Sequence, residues 1–238
     1  MNNLKKKLDE LVKQSDLFVS TPETIERLKA KGLPIKSVFT TYEEYLDKLF
    51  VERRKLASDL VKNLPHLDHK IANSAIQALY EELKECFVLG IPGAAITLAV
   101  ILLELALKYR LYDERIKRDP SSKWEYIEQI DFTKAISSLW KLKVISKKEK
   151  QQLDKFNLKF RNPYIHYNIK KLVHDMVLGE LSSVNVETGK IKVLKNVKPA
   201  DYPSLWFSAK RVKDKKVIVL VVTFCIDWAN KLLSKSKK

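Results

Sequence analysis

Residues 93–111 read GAAITLAVILLELALKYRL, and this stretch decides the fold. It is apolar on almost every side of a 3.6-residue period, so a helix here has no polar face for water and belongs at the centre of a bundle. Glu104 is its one acidic residue. Upstream, Gly90 and Ile91-Pro92-Gly93 form a turn, and a helix over about 68–89 would aim Ile71, Ile76, Leu79, Leu83 and Phe87 at the same core. Downstream, the loop DPSSKWEYIE leads into DFTKAISSLWKLK, a short helix. Ser146-Lys147-Lys148-Glu149 has capping-box spacing and predicts a helix from Lys147 carrying Leu153, Phe156 and Phe160. Asn162-Pro163 reads as an N-cap and first helical position, which predicts a further helix from Pro163 to about Gly179.

Helical patterning extends outward at about 2–15, 22–31 and 41–63, the last broken by Pro65. With 5 Gly and 8 Pro the chain has few places to turn, which favours long helices over many short strands. SSVNVETGKIKVLKNV alternates around a Thr-Gly turn and predicts a small β-hairpin insertion at about 183–195. VIVLVVTFCIDWANKLLS, residues 217–234, is rich in β-branched residues, but its length and its Trp228, Leu232 and Leu233 continuation predict a buried closing helix. The fold class is therefore all-α: an N-terminal helical extension over 1–65, then a helical bundle over 66–238 interrupted by the hairpin.

A 238-residue chain with 45% hydrophobic residues can build a substantial core without cross-links. Cys86 and Cys225 are expected as free thiols in a reducing compartment, which together with the charged, amphipathic start MNNLKKKLDELVKQSD predicts a cytoplasmic location. The apolar runs Ala94 to Leu103 and Val217 to Ile226 fall short of the roughly 20 residues that span a bilayer, so no membrane is expected as partner. The net charge of +16 is unevenly placed. Residues 141–238 hold 23 Lys/Arg against 8 Asp/Glu, whereas residues 1–140 hold 22 against 21. Such asymmetry points to a polyanion, with nucleic acid ahead of a membrane surface, although a well-solvated lysine-rich face has the same composition.

The chemistry concentrates in Phe160-Arg161-Asn162-Pro163-Tyr164-Ile165-His166. This segment resembles the motif of the HEPN superfamily, in which an arginine, usually followed by Asn, Asp or His, precedes a histidine by four to six residues. The resemblance covers roughly residues 70–180 in the order of helices, and the closing helix at 217–234 resembles the last helix of the group. It implies an up-and-down HEPN-like bundle acting as a metal-independent endoribonuclease, a toxin or antiviral defence effector as many members are. It also implies a homodimer whose two motifs face one shared active-site cleft, with an antitoxin or defence protein as a further partner. The alternative is a non-catalytic HEPN module that binds RNA or a partner protein. In members silenced by modification a tyrosine stands two positions after the histidine. Here that position is Asn168, with Tyr167 one earlier.

The residue types suit the reaction. Cleaving RNA without a metal requires a base for the 2′-hydroxyl and a stabiliser for the charge of the phosphorane. His166 can exchange a proton near neutrality, with an ordinary imidazole pKa of about 6.5. Arg161 offers a planar fork of donors to two phosphate oxygens. Asn162, as a cap, would aim the free N–H groups of the following helix at the same anion. Each has a structural reading too: a helix-end cation, a cap, a satisfied core or surface histidine. Tyr164 and Tyr167 either stack on a base or pack the bundle, and Glu104 either supports Arg161 or His166 in catalysis or forms a structural ion pair. Lys159, Lys170 and Lys171 are candidate RNA contacts. His66 and His69 have a spacing that could suggest metal but no supporting ligands, and His174 reads as a surface residue, so neither metal nor cofactor is expected.

Overall fold

The fold is given by a computed structural model that describes residues 42–68, 70, 73–184 and 191–234, with the single positions 26 and 30. The helices expected at 2–15 and 22–31 lie outside these residues except for Glu26 and Ala30, which are helical; His69, Ile71 and the Thr188-Gly189 turn also lie outside. The described chain is mostly helical with one small hairpin. In chain order it forms α1 (Tyr42–Lys62), α2 (Ser74–Val88), α3 (Pro92–Ile116), α4 (Trp124–Glu128), α5 (Phe132–Lys141) and α6 (Lys147–Phe156). A π-helical turn over Asn157–Arg161 follows, then the one-turn helices α7 (Asn162–Ile165) and α8 (Ile169–Leu172), β1 (Leu178–Val184), β2 (Ile191–Val197), two 3-10 turns and α9 (Trp206–Ser234).

Two compact units divide the chain. One comprises Met1–Leu49 with Leu178–Val197 and contains the hairpin, an antiparallel pair whose register runs from Leu178 opposite Val197 to Val184 opposite Ile191. The other comprises Phe50–Val177 with Lys198–Lys238 and holds the bundle. There α3 is the central rod, packed by α9, α2 and α5. Ala95, Ile96, Leu102, Leu103, Leu107 and Leu111 are all buried, so more than one face of the helix is covered, as its composition requires. Each fully buried leucine contributes about 1.5–3 kcal/mol over leaving it in water.

Local signals place the helix starts. Asn73 accepts the Ile76 N–H at 3.0 Å and delays α2 beyond the expected position 68. Asp131 accepts the Lys134 N–H at 2.8 Å to open α5. At α6 the capping box is complete: the Ser146 N–H donates to Glu149 Oε2 at 2.5 Å and the Glu149 N–H to Ser146 Oγ at 3.2 Å.

The closing helix differs from expectation. It begins at Trp206, eleven residues before 217: in the segment WFSAKRVKDKK, Asp214 is buried in helical phase with Ile218, Val221, Val222 and Cys225, while Ala209 packs on another face against Val173 and Ala200. Lysine and arginine are good helix formers, and Arg211, Lys215 and Lys216 lie exposed outside that stripe. By length and composition alone this is the one helix among the described residues that would cross a bilayer; half of its apolar stretch is buried inside the fold.

The helix predicted from Pro163 to Gly179 is not there. The chain instead stays helical from Lys147 through the π turn to Ile165 and stops. The stop is a Schellman motif: Asn168 N–H donates to Pro163 O at 2.8 Å and Tyr167 N–H to Tyr164 O at 3.2 Å, with Tyr167 in the left-handed region at φ +48°. Asn168 then accepts the Lys171 N–H at 3.1 Å and opens α8.

Candidate functional site

Arg161 ends the π turn, a helical irregularity that recurs at functional sites. The turn bends the ladder so that the Asn162 N–H reaches back to Asn157 O. Arg161 is 15% exposed and aims at α3, where its Nε and Nη2 donate to Glu104 Oε2 at 3.3 and 3.0 Å. The carboxylate in the apolar part of the helix therefore finds the partner its position demands. Lys108, one turn on, meets Glu104 Oε1 at 3.3 Å, and the Arg161 guanidinium lies 5.7 Å from the centre of the Phe132 ring. Two cations share one carboxylate, so the cluster carries a net positive charge.

Asn162 does something other than expected. Its backbone is helical, at φ −60° and ψ −47°, so it is no N-cap, and its Oδ1 accepts from Arg161 Nη1 at 3.0 Å. The N–H groups beyond it belong to a continuing helix, and the helix end nearest His166 is the carbonyl end, of the wrong polarity for an anion. A phosphate here would rest on Arg161. Of that guanidinium's five donors, three are engaged by Glu104 and Asn162, leaving two. His166 is the C-cap that follows the helical run, exposed, its backbone N–H bonded to Asn162 O at 3.1 Å; its ring has no hydrogen-bond partner among the described residues.

The two tyrosines separate. Tyr164 is buried and donates to Asp214 Oδ1 at 2.6 Å, so it packs the bundle; burial first, and then Asp214, push its hydroxyl pKa well above the ordinary phenol value. Tyr167 is 64% exposed. Between their rings stands Lys210 Nζ, 5.3 Å from the centre of Tyr164 and 5.6 Å from that of Tyr167, bonded to Asp214 Oδ2 at 2.5 Å. Sequence reasoning misses Lys210 and Asp214. They sit in KRVKDKK, whose charges read as a solvated face, and only the spacing of four and seven residues from Asp214 to Ile218 and Val221 marks Asp214 as inward.

Lys159, Lys170 and Lys171 are all exposed, with Lys159 Nζ 5.7 Å from the centre of the Phe160 ring. His174 Nδ1 lies 3.1 Å from Asp175 at the surface. No group of three His, Cys, Asp or Glu side chains fit to hold a metal occurs among the described residues. Cys225 is buried and Cys86 half-buried, both unbonded, and burial pushes both thiols up. In comparisons with protein-family models, curated proteins and solved structures, nothing matches this chain.

Proposed function

We propose that this protein is a metal-independent endoribonuclease of HEPN type, with Arg161 and His166 as the reacting pair. The observation that supports it most is the support around Arg161. Glu104 and Asn162 hold a part-buried guanidinium with two donors left over, and His166 stands exposed where the same helical run ends. A preorganised donor set of this kind stabilises charge that develops in a transition state.

In this reaction His166 takes the proton of the 2′-hydroxyl, and the freed O2′ attacks the adjacent phosphorus. Arg161 holds the non-bridging oxygens of the phosphorane. The P–O5′ bond then breaks, and the leaving O5′ accepts a proton. The products are a 2′,3′-cyclic phosphate and a 5′-hydroxyl. One histidine cannot act as base and acid in the same displacement, so a second copy of the chain supplies the acid, and the active form is a homodimer. Lys159, Lys170 and Lys171 add phosphate contacts along the strand. A toxin or defence role accords with this activity and would bring an antitoxin or defence partner; the compartment is the cytoplasm.

Purified protein should cut single-stranded RNA in EDTA and leave those termini, while DNA and fully 2′-O-methylated RNA resist. His166→Ala and Arg161→Ala should each lower the rate by about 10²–10⁴-fold. Light scattering should give twice the chain mass. A requirement for Mg²⁺, or unchanged cleavage by the His166→Ala protein, would discard the mechanism and leave a module that binds RNA or a partner without cutting.

A further inference from the structure

Next to His166 in the chain, Tyr167 borders an open groove of about 470 Å³ whose opposite wall is the start of α3 at Gly93, Ala94 and Thr97. This volume falls within the range of small-ligand sites, about 300–1,000 Å³. Two of its lining residues, Tyr164 and Lys210, share one buried acceptor behind the wall. Asp214, buried on α9, takes the Tyr164 hydroxyl on one oxygen and the Lys210 ammonium on the other. Gly93 permits the close approach, since a Cβ there would stand 3.0 Å from both Asp214 Oδ2 and Lys210 Nζ. Lys210 is thereby held against one face of the Tyr167 ring with two of its three ammonium hydrogens still available.

Tyr167 is the unusual member. An aromatic residue occupies the left-handed position that glycine or asparagine normally takes, and it leaves most of its ring in water. Neither choice favours folding. A flat, exposed ring propped by a cation is what stacking on a base requires, and stacking of this kind tolerates any base.

We propose that this groove is a nucleobase subsite: an unpaired base of single-stranded RNA stacks on the exposed ring of Tyr167 at the mouth of the groove, and Lys210 meets the neighbouring phosphate. The subsite rests on the ribonuclease reading for the place of the scissile bond, beside His166. Lys210 and Tyr167 then belong to substrate binding, whereas Tyr164 and Asp214 are positioning residues that hold them.

The test uses a fully 2′-O-methylated single-stranded oligonucleotide carrying 2-aminopurine, which lacks the attacking hydroxyl and stays intact whatever the protein's activity. Binding to the wild-type protein should quench its fluorescence. Tyr167→Leu should abolish the quench and weaken binding by about 5- to 150-fold, the range expected for one lost stack, while Tyr167→Phe keeps both. Both variants should melt with the wild type, because the ring is exposed. Wild-type protein that binds without quenching, or does not bind, overturns the subsite, and so does a Tyr167→Leu protein that binds as tightly as the wild type. If quenching behaves as expected but unmodified RNA is not cut, the subsite stands and the ribonuclease reading falls.

Discussion

Glu104 discloses its role through its setting in the sequence. A carboxylate on a helix apolar all round must find a partner or lose its charge, and Arg161, 57 residues away, supplies it. Removing it should be costly in proportion to its partial burial. The pair is 15–18% exposed, which places it between a solvent-screened surface bridge and a fully desolvated one. Glu104→Ala should therefore destabilise the fold by about 1–3 kcal/mol in a urea titration, since Arg161 and Lys108 then face each other without their shared acceptor. A change below about 0.5 kcal/mol would show that water already screens the pair. RNA cleavage should fall further than the lost stability accounts for, because Arg161 would no longer be aimed. Asn162 is less legible. A cap and a side-chain acceptor look alike in sequence, and only the continuing helix assigns it to Arg161.

At the level of elements, three helix ends share one geometry and differ in the residue that makes it. α2 ends at Gly90 (φ +65°), α5 at Lys143 (φ +60°) and α7 at Tyr167 (φ +48°), each with the paired Schellman hydrogen bonds. Glycine announces the first stop in the sequence; lysine and tyrosine do not announce theirs. The end of α2 is legible for that reason, whereas the run through Asn162-Pro163 reads as the start of a helix and not the end of one. The energetics follow. Lys143→Gly should raise stability by about 0.5–1 kcal/mol, because relief of the left-handed penalty exceeds the added freedom of the unfolded chain. Gly90→Ala should lower it by about 1 kcal/mol for the reverse reason, its Cβ meeting nothing closer than Arg53 Cγ at 3.8 Å. Thermal melts of the two variants should move in opposite directions, and parallel shifts would refute the shared account.

Across the whole bundle, an ion pair between Glu149, at the start of α6, and Lys231, near the end of α9, links two elements far apart in the chain. The Lys231 ammonium, and then the Ser146 N–H, hold the Glu149 carboxyl down at about 2 from an ordinary value of about 4.5. Folding thus favours the charged form. The resulting stability is complete above about pH 4.5 and is lost as the pH falls through about 2. Glu149→Gln should consequently be less stable than the wild type at pH 7, and the gap should close in denaturant titrations carried toward pH 2. A gap that stays constant with pH would mean that the residue acts through packing alone.

The helical class, the central place of α3, the capping box, the hairpin and the need of Glu104 for a partner were all legible in the amino-acid order, because each follows from a local pattern or from the cost of burying a carboxylate. Packing settled the remainder. It extended α9 back to Trp206, turned Asp214 inward among lysines, and ended the helix after the Arg-Asn-Pro segment at Tyr167. The physical reason is common to all three. Residues such as lysine, aspartate and tyrosine adopt more than one local role at similar free energy, and the choice falls to neighbours brought together by packing.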